Sequence, residues 1–318
     1  MTVSPSRGVA VAGLAVALPP LVVTNADLEA RLDTSDAWIT ERSGIRERRI
    51  GGSTGDLAAE AGALALAESG LRPDDINLLI LATETPDALM PSTAAAVAGS
   101  LGLTCGSFDL NAACAGFVYG IAIASQLVVG GIDRVLLIGA DTMSSITDQA
   151  ERTTAVLFAD GAAALVLEAT TDPGAGVLGW ESGTDGSLRG ILYCEHGETI
   201  KMQGPEVFKK AVRVVTSSCQ HALEVAKVTA ADIDLFVPHQ ANLRIIDAAA
   251  RRLDIAEDRW AVVVDTTGNT SAASIPLALA RARDEGRLRD GSLLLLSGFG
   301  AGMTWASAVV RWAGRPTP

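Results

Sequence analysis

The stretch FDLNAACAGFVYGIAIASQLV, residues 108–128, sets Cys114 between two kinds of local order. Upstream, Gly106 to Leu110 reads as a short buried strand. Downstream, Ala115, Val118, Ala122 and Leu127 recur at helical spacing and predict a buried helix. Cys114 then falls at a strand-to-helix turn near a helix N-terminus, where backbone N–H groups point outward and the dipole end is positive. A thiolate is stabilised in such a place and its pKa is expected to fall. A cysteine in apolar surroundings is by default an inert core residue, so the chemistry rests on two further segments.

Those segments are LFVPHQANLRII (235–246) and VVVDTTGNTSAASIPLALARA (262–282). Asp232 to Val237 predicts a strand and Ala241 to Leu253 a helix, with His239 at their junction. Val262 to Asp265 predicts a strand, Thr266 to Asn269 a turn, and a helix follows from about Ser271. Singly, each has a bland explanation: a turn His bonds its neighbours, and Asn in TTGN forms or caps a turn. Together, Cys, His and Asn at three such junctions are the parts of a nucleophilic site. Cys114 can carry an acyl group, while His239 and Asn269 donate to one developing oxyanion.

The chain of 318 residues, 48% hydrophobic and 19% charged, is long and apolar enough for two fused halves. A net charge of −12 argues against nucleic acid as a partner. Cys105, Cys114, Cys194 and Cys219 show no finger spacing and fit reduced cytosolic thiols. His196, His221 and His239 make no metal-ligand pattern. The apolar run Val9 to Val23 is interrupted by Pro19 and Pro20 and is too short to span a bilayer. It reads as a first strand and its turn, so no membrane insertion is expected.

The chain also resembles itself. DINLLILAT from Asp75 and DIDLFVPHQ from Asp232 lie 157 apart; RVLLIGA from Arg134 and SLLLLSG from Ser292 lie 158 apart. The Cys114 turn corresponds in order to the Asn269 turn. This predicts two α/β halves, residues 1–172 and 173–318, related by a pseudo-twofold axis that brings cognate turns together.

DTSDAWITERSGIRERR (33–49), DLNAACAGF (109–117), FADGAAALVLE (158–168), KMQGPEVFK (201–209), VPHQANLRII (237–246), GNTSAASIPLAL (268–279) and SGFGAGMTWAS (297–307) stand in one order along nearly the whole chain. With them the chain resembles the β-ketoacyl-acyl-carrier-protein synthase III family of the thiolase superfamily. The resemblance implies a thiolase-like five-layered αβαβα fold and a cytoplasmic homodimer. It implies a decarboxylating Claisen condensation that starts fatty-acid or polyketide chains, with no cofactor, since coenzyme A arrives as a substrate thioester. Cys114 would take the acyl group from acyl-coenzyme A. His239 and Asn269 would hold the thioester oxygen of malonyl-acyl carrier protein during decarboxylation. Backbone N–H groups of Cys114 and Ala301 would bind the tetrahedral oxyanion.

The family pattern further places coenzyme A on Trp38, Arg42 and Arg152, the pantetheine arm on Gly204 and Asn242, and Phe299 beside the sulfur. Arg46, Arg48 and Arg49 read as a solvated basic loop. Met202 and Phe208 are expected at the acyl pocket, and Met90 at the position that in the family reaches across the dimer to close the partner's acyl pocket. An acidic carrier protein needs a local basic patch, for which Lys209, Arg244, Arg251 and Arg252 are the candidates. Only thirteen residues, 188–200, separate DGS from KMQG, a shorter cover than the family usually carries, which predicts longer or bulkier primers than acetyl. Two alternatives stay open: a same-fold acyltransferase without decarboxylation, and a non-catalytic acyl-binding subunit.

Overall fold

The computed structural model describes residues 7–314; the outer ends of the two predicted halves, 1–6 and 315–318, lie outside them. The first half carries β1 (Gly8–Ala17), β2 (Leu21–Thr24), β3 (Glu47–Ile50), β4 (Leu78–Ala82), β5 (Gly106–Leu110), β6 (Arg134–Thr142) and β7 (Asp160–Thr170). After a turn come β8 (Gly176–Thr184), β9 (Leu192–Tyr193), β10 (Lys201–Met202), β11 (Leu235–Pro238), β12 (Leu293–Gly300) and β13 (Thr304–Arg311).

Two mixed sheets result, in the orders β1-β7-β6-β4-β5 and β11-β12-β13-β8. Read as β8-β13-β12-β11, the second repeats the first four positions of the first. Both begin with two antiparallel pairings and continue with a parallel one.

Side-chain alternation builds the layers. On β6, Val135 and Leu137 face one core, and Leu136, Ile138 and Ala140 the other. On β7, Ala163, Leu165 and Leu167 alternate likewise with Ala162, Ala164 and Val166. Strands buried on both faces need no polar side, which is why these runs are continuously apolar. The helices Gly116–Val129 and Ser274–Asp284 lie between the sheets. Thr54–Ser69 and Thr93–Leu101 cover the first sheet outside, and Gly204–Ala226 and Leu243–Arg252 the second. These are the five layers, αβαβα.

Two local expectations are corrected. Gly106–Leu110 is a strand, but it is the open edge of its sheet, with Phe108 38% exposed. The predicted strand at Val262 to Asp265 is instead a short helix, Val264–Thr267. The buried Gln240 side chain explains it. Its amide donates to the carbonyls of Pro238 (2.7 Å) and Ala261 (3.1 Å), and its Oε1 accepts from Val263 N (2.9 Å) and Val264 N (3.3 Å). A side chain thus satisfies the backbone groups a fifth strand would have paired, and only a single bridge, Phe236 to Trp260, remains of that strand.

Candidate active site

Cys114, His239 and Asn269 all line one cleft of about 760 Å³. Each lies just past the carboxyl end of a strand or its cognate segment, where open α/β sheets collect their ligand sites. Beside Cys114, Ala113 holds a φ of 47°, and Asn111 Oδ1 accepts from Ala113 N at 3.1 Å. The end of β12 runs flush against this turn. A Cβ on Gly300 would stand 2.6 Å from Cys114 N, and one on Gly298 2.8 Å from Ala115 Cα. Only glycine permits that approach, and it brings the GFGAG turn to the sulfur.

His239 is buried and neutral: burial pulls its pKa down to about 3. Its Nδ1 meets Ser274 Oγ at 2.7 Å, and that oxygen already accepts from Gln240 N at 3.2 Å. The serine proton is therefore best used on Nδ1, which assigns the ring hydrogen to Nε2 as a donor. Phe299 packs edge-on against the ring, centroids 5.4 Å apart. Asn269 is fixed through its backbone, bonding Leu157 O (2.9 Å) and Ala159 N (2.9 Å). Its Oδ1 accepts from Ser271 N at 3.0 Å, which leaves the amide N–H groups for a ligand.

Trp38, Arg42, Arg152, Gly204, Asn242 and Phe299 line the same cleft, with Met202, Phe208 and Arg244. Ser35 caps the Asp36–Ser43 helix by accepting from Trp38 N (3.1 Å), and one turn on Arg42 returns over the indole. The guanidinium carbons of Arg42 and Arg152 both lie 4.8 Å from that ring. Arg152 is held by Asp33 O at 2.7 Å. Asn242 caps the helix after His239 through Ile245 N, 2.9 Å.

Other predicted residues fall elsewhere. Ala301 lines a second chamber of about 40 Å³ with Cys114, Glu84, Met143, Ile146, Phe158, Leu192, Tyr193, Cys194 and Ile200. Met90 is 84% exposed and lines neither cavity of its own chain, so its expected place at a partner's pocket belongs to the dimer. Phe208 lies in the wide cleft under Arg244, 5.3 Å from its guanidinium. Lys209, Arg251 and Arg252 stand on the surface, Lys209 3.9 Å from Glu206 and Arg251 2.7 Å from Asp247. Arg48 is no solvated loop residue. It is buried, donates to Val23 O, Asn25 Oδ1 (2.9 Å) and Val156 O (2.9 Å), and burial lowers its pKa to about 10. It fastens the basic loop beneath a wall of the cleft.

The expected low thiol pKa is also corrected. Burial first, then the Glu84 carboxylate, pushes the Cys114 pKa well above the ordinary thiol value. The positive helix end is outweighed because the sulfur is buried beside two acids, Glu84 and Asp141. Asp141 is fully hydrogen-bonded, by Thr83 Oγ1 (2.9 Å), Glu84 N (2.8 Å), Thr85 N (3.1 Å), Thr85 Oγ1 (2.9 Å) and, from the other half, Ala272 N (3.0 Å). The sequence reading missed both acids. Their signal was position: each lies at or just past the carboxyl end of a buried parallel strand.

Two family models match the chain: "3-Oxoacyl-[acyl-carrier-protein (ACP)] synthase III" over residues 108–186 and the C-terminal model of the same family over 223–312. The chain is 47% identical to the β-ketoacyl-[acyl-carrier-protein] synthase III of Brucella suis, covering 95% of this chain and 98% of that protein. Among solved structures, the 3-oxoacyl-[acyl-carrier-protein] synthase III of Aquifex aeolicus superposes with a TM-score of 0.93 at 42% identity, over 96% of this chain and 100% of that one. The priming β-ketosynthase of the R1128 polyketide pathway gives 0.92 at 35% identity, over 99% of both chains.

Proposed function

The chain belongs to the β-ketoacyl-acyl-carrier-protein synthase III family, and from that premise we propose how its own cleft carries out the condensation. The enzyme joins an acyl primer to a malonyl unit and so initiates fatty-acid synthesis. Cys114 attacks an acyl-coenzyme A thioester and coenzyme A leaves. Malonyl-acyl carrier protein then enters the same cleft. Its thioester oxygen accepts from His239 Nε2 and the Asn269 amide, so loss of carbon dioxide leaves a stabilised enolate. That carbon attacks acyl-Cys114, with backbone N–H groups of Cys114 and Ala301 holding the oxyanion. Preorganised donors of this kind contribute about 3–4 kcal/mol each.

The observation that carries this reading is that nucleophile, two neutral donors and a Trp–Arg–Arg cluster share one cleft. Trp38, Arg42 and Arg152 suit an adenine ring and its phosphates. A neutral His239 suits an enolate stabiliser better than an imidazolium, which would pair with the malonyl carboxylate instead of the thioester. The retained Asn269 favours condensation over simple acyl transfer, which generates no enolate; release of carbon dioxide separates the two. Among the described residues no cluster of His, Cys, Asp or Glu could hold a metal, and the proposed chemistry needs no cofactor.

The chamber of about 40 Å³ beside Cys114 supports a short primer, since one water alone needs about 10–15 Å³. It does not support the bulkier primer expected from the brief cover. Residues 188–200 are short because β9 and β10 pair directly and Ile200 N bonds Ile146 O at 2.8 Å, drawing the loop down as the chamber's wall. The open β5 edge, with exposed Phe108, Leu89 and Met90, supports a homodimer in which a second copy covers it. Arg244 in the cleft, Lys209 next to the cleft residue Phe208, and Arg251 and Arg252 exposed at the far end of the Leu243–Arg252 helix support the acidic carrier as partner. No helix among the described residues is long and apolar enough to cross a membrane; the cytoplasm is the proposed site of action.

Intact-protein mass spectrometry after mixing with short acyl-coenzyme A thioesters tests this. One acyl mass per chain is expected, absent in Cys114→Ala; no adduct with any donor would sink the reading.

A further inference from the structure

Glu84 is the acid that neither the family motifs nor the mechanism above uses. Its Oε1 accepts from Cys114 Sγ at 3.4 Å and from the hydroxyl of Ser271. Its backbone N–H is pinned on Asp141 at 2.8 Å. What remains exposed of it opens into the small chamber that Cys114 shares. The titratable groups facing it are Cys114 and Asp141, with Tyr193 and Cys194 across the chamber. No cation stands among them.

We infer that Glu84 is the base that takes the Cys114 proton when the acyl group arrives, holds it while the acyl-enzyme exists, and returns it when the product leaves. The inference rests on the acyl-coenzyme A reading above. In the first step the thiol S–H bond breaks toward Oε1 as sulfur bonds the acyl carbon. The carbon–sulfur bond to coenzyme A breaks, and its thiolate is protonated by solvent. In the second step the enolate carbon bonds the acyl carbon and the bond to Cys114 Sγ breaks. The cysteine thiolate recovers the proton from Glu84, so the cycle returns to its start.

Three features support this assignment over His239. Nδ1 of His239 is taken by Ser274, and its pKa near 3 makes it a poor proton acceptor. Burial and Asp141 raise Glu84 to about 7, a value matched to a base at neutral pH. A thiol with a raised pKa needs such a base, since little thiolate exists beforehand. Holding the proton also makes Glu84 neutral when malonyl carboxylate and enolate enter, which removes a like charge from the site.

The test measures single-turnover acylation of wild type and Glu84→Gln at pH 7.5, by mass and by proton uptake in lightly buffered indicator dye. Wild type is expected to take up about two-thirds of a proton per acyl group: Glu84 goes from about one-quarter protonated to fully so, because acylation removes the Cys114 hydrogen bond that holds its pKa down, while the released thiol takes up about nine-tenths of the proton the cysteine gave. Glu84→Gln is expected to acylate about 100-fold more slowly with no uptake, and to lose the inflection near pH 7 from its rate profile. A variant that acylates as fast as wild type, or faster because a like charge has gone, overturns the inference. So does a wild type that acylates without uptake, a result readable even if the variant fails to fold. A wild type that accepts no acyl group overturns the functional reading itself, which separates the two failures.

Discussion

Two turns of the molecule are the same object built twice, and only one carries the nucleophile. Asn111 and Asn269 stand 158 positions apart, as do Ala113 and Ser271. In each turn the asparagine Oδ1 accepts from the backbone N–H two residues on, at 3.1 and 3.0 Å. In each, that residue is a non-glycine with positive φ, 47° and 50°. The next position is Cys114 in one and Ala272 in the other. In the first turn the asparagine is exposed and shapes the backbone. In the second the same side chain is buried at the cleft, where the proposed mechanism uses its amide as a donor. Geometry was duplicated; chemistry was divided between the copies.

Replacing the nucleophile breaks this comparison most severely. Cys114→Ala makes the two turns alike at that position and is expected to lower condensation by about 10⁴-fold or more, with acylation absent by mass. Next come the asparagines. Asn269→Asp keeps the acceptor for Ser271 N but loses the amide donor, so kcat should fall about 10²–10³-fold with the unfolding midpoint little changed. Asn111→Asp, the same substitution in the other turn, should leave kcat within about threefold, because only an acceptor is needed there. Equal losses in both would mean that Asn269 acts only as a turn former. Gly300→Ala comes third. Its methyl would press on Cys114 N, at 2.6 Å, and Ala113 Cβ, at 2.7 Å, and an outward shift of the turn should cost about 10²-fold in acylation rate. An unchanged rate would show that the turn yields without moving sulfur.

The division into strand–turn–helix units, the repeat, and the residues Cys114, His239, Asn269, Trp38, Arg42 and Arg152 were legible because they are local patterns or motif positions. Strand-to-helix junctions announce themselves by a change of period. What was not legible depends on contacts across the chain. Gln240 reads as a loop amide, yet its four bonds replace strand pairing at 261–264. Arg48 sits among exposed-looking arginines, yet three acceptors take it into the interior. Glu84 and Asp141 look like ordinary strand-end acids. Sheet order rather than sequence puts them beside Cys114: β4 pairs with both β5 and β6, so the acids at the ends of β4 and β6 stand next to the turn after β5, and burial there with Glu84 reverses the expected pKa shift.

That reversal has a stability signature. Glu84 is raised from its ordinary 4.5 to about 7 in the folded protein. Between those values the native state binds more protons than the unfolded chain, so this group makes stability fall as pH rises. His239, lowered to about 3, acts in the opposite sense: the unfolded chain binds more protons between about 3 and 6.5, and stability rises with pH there. Comparing Glu84→Gln with wild type cancels the histidine. Relative to wild type, the variant should gain about 2 kcal/mol between pH 4.5 and 7.5, discounted for the part of Glu84 that opens to the chamber. Chemical denaturation at the two pH values measures it, and a pH-independent difference would show that Glu84 titrates alike in the folded and unfolded chains.

The smallest expected effect separates strain from contact in the paired turns. A positive φ costs an L-residue about 1–2 kcal/mol that glycine does not incur. Against this, glycine raises unfolded-chain entropy by about 0.5–1 kcal/mol, and Ala113 loses a buried methyl worth about 0.8 kcal/mol. Ala113→Gly should therefore lie within about 0.5 kcal/mol of wild type. Ser271→Gly gains the same relief but leaves Glu84 without its hydroxyl donor, a loss of about 1–2 kcal/mol, and should be the less stable of the two by about 1 kcal/mol. Thermal unfolding near neutral pH resolves that difference. Equal stabilities would mean that the Ser271 hydroxyl contributes nothing to holding the acid.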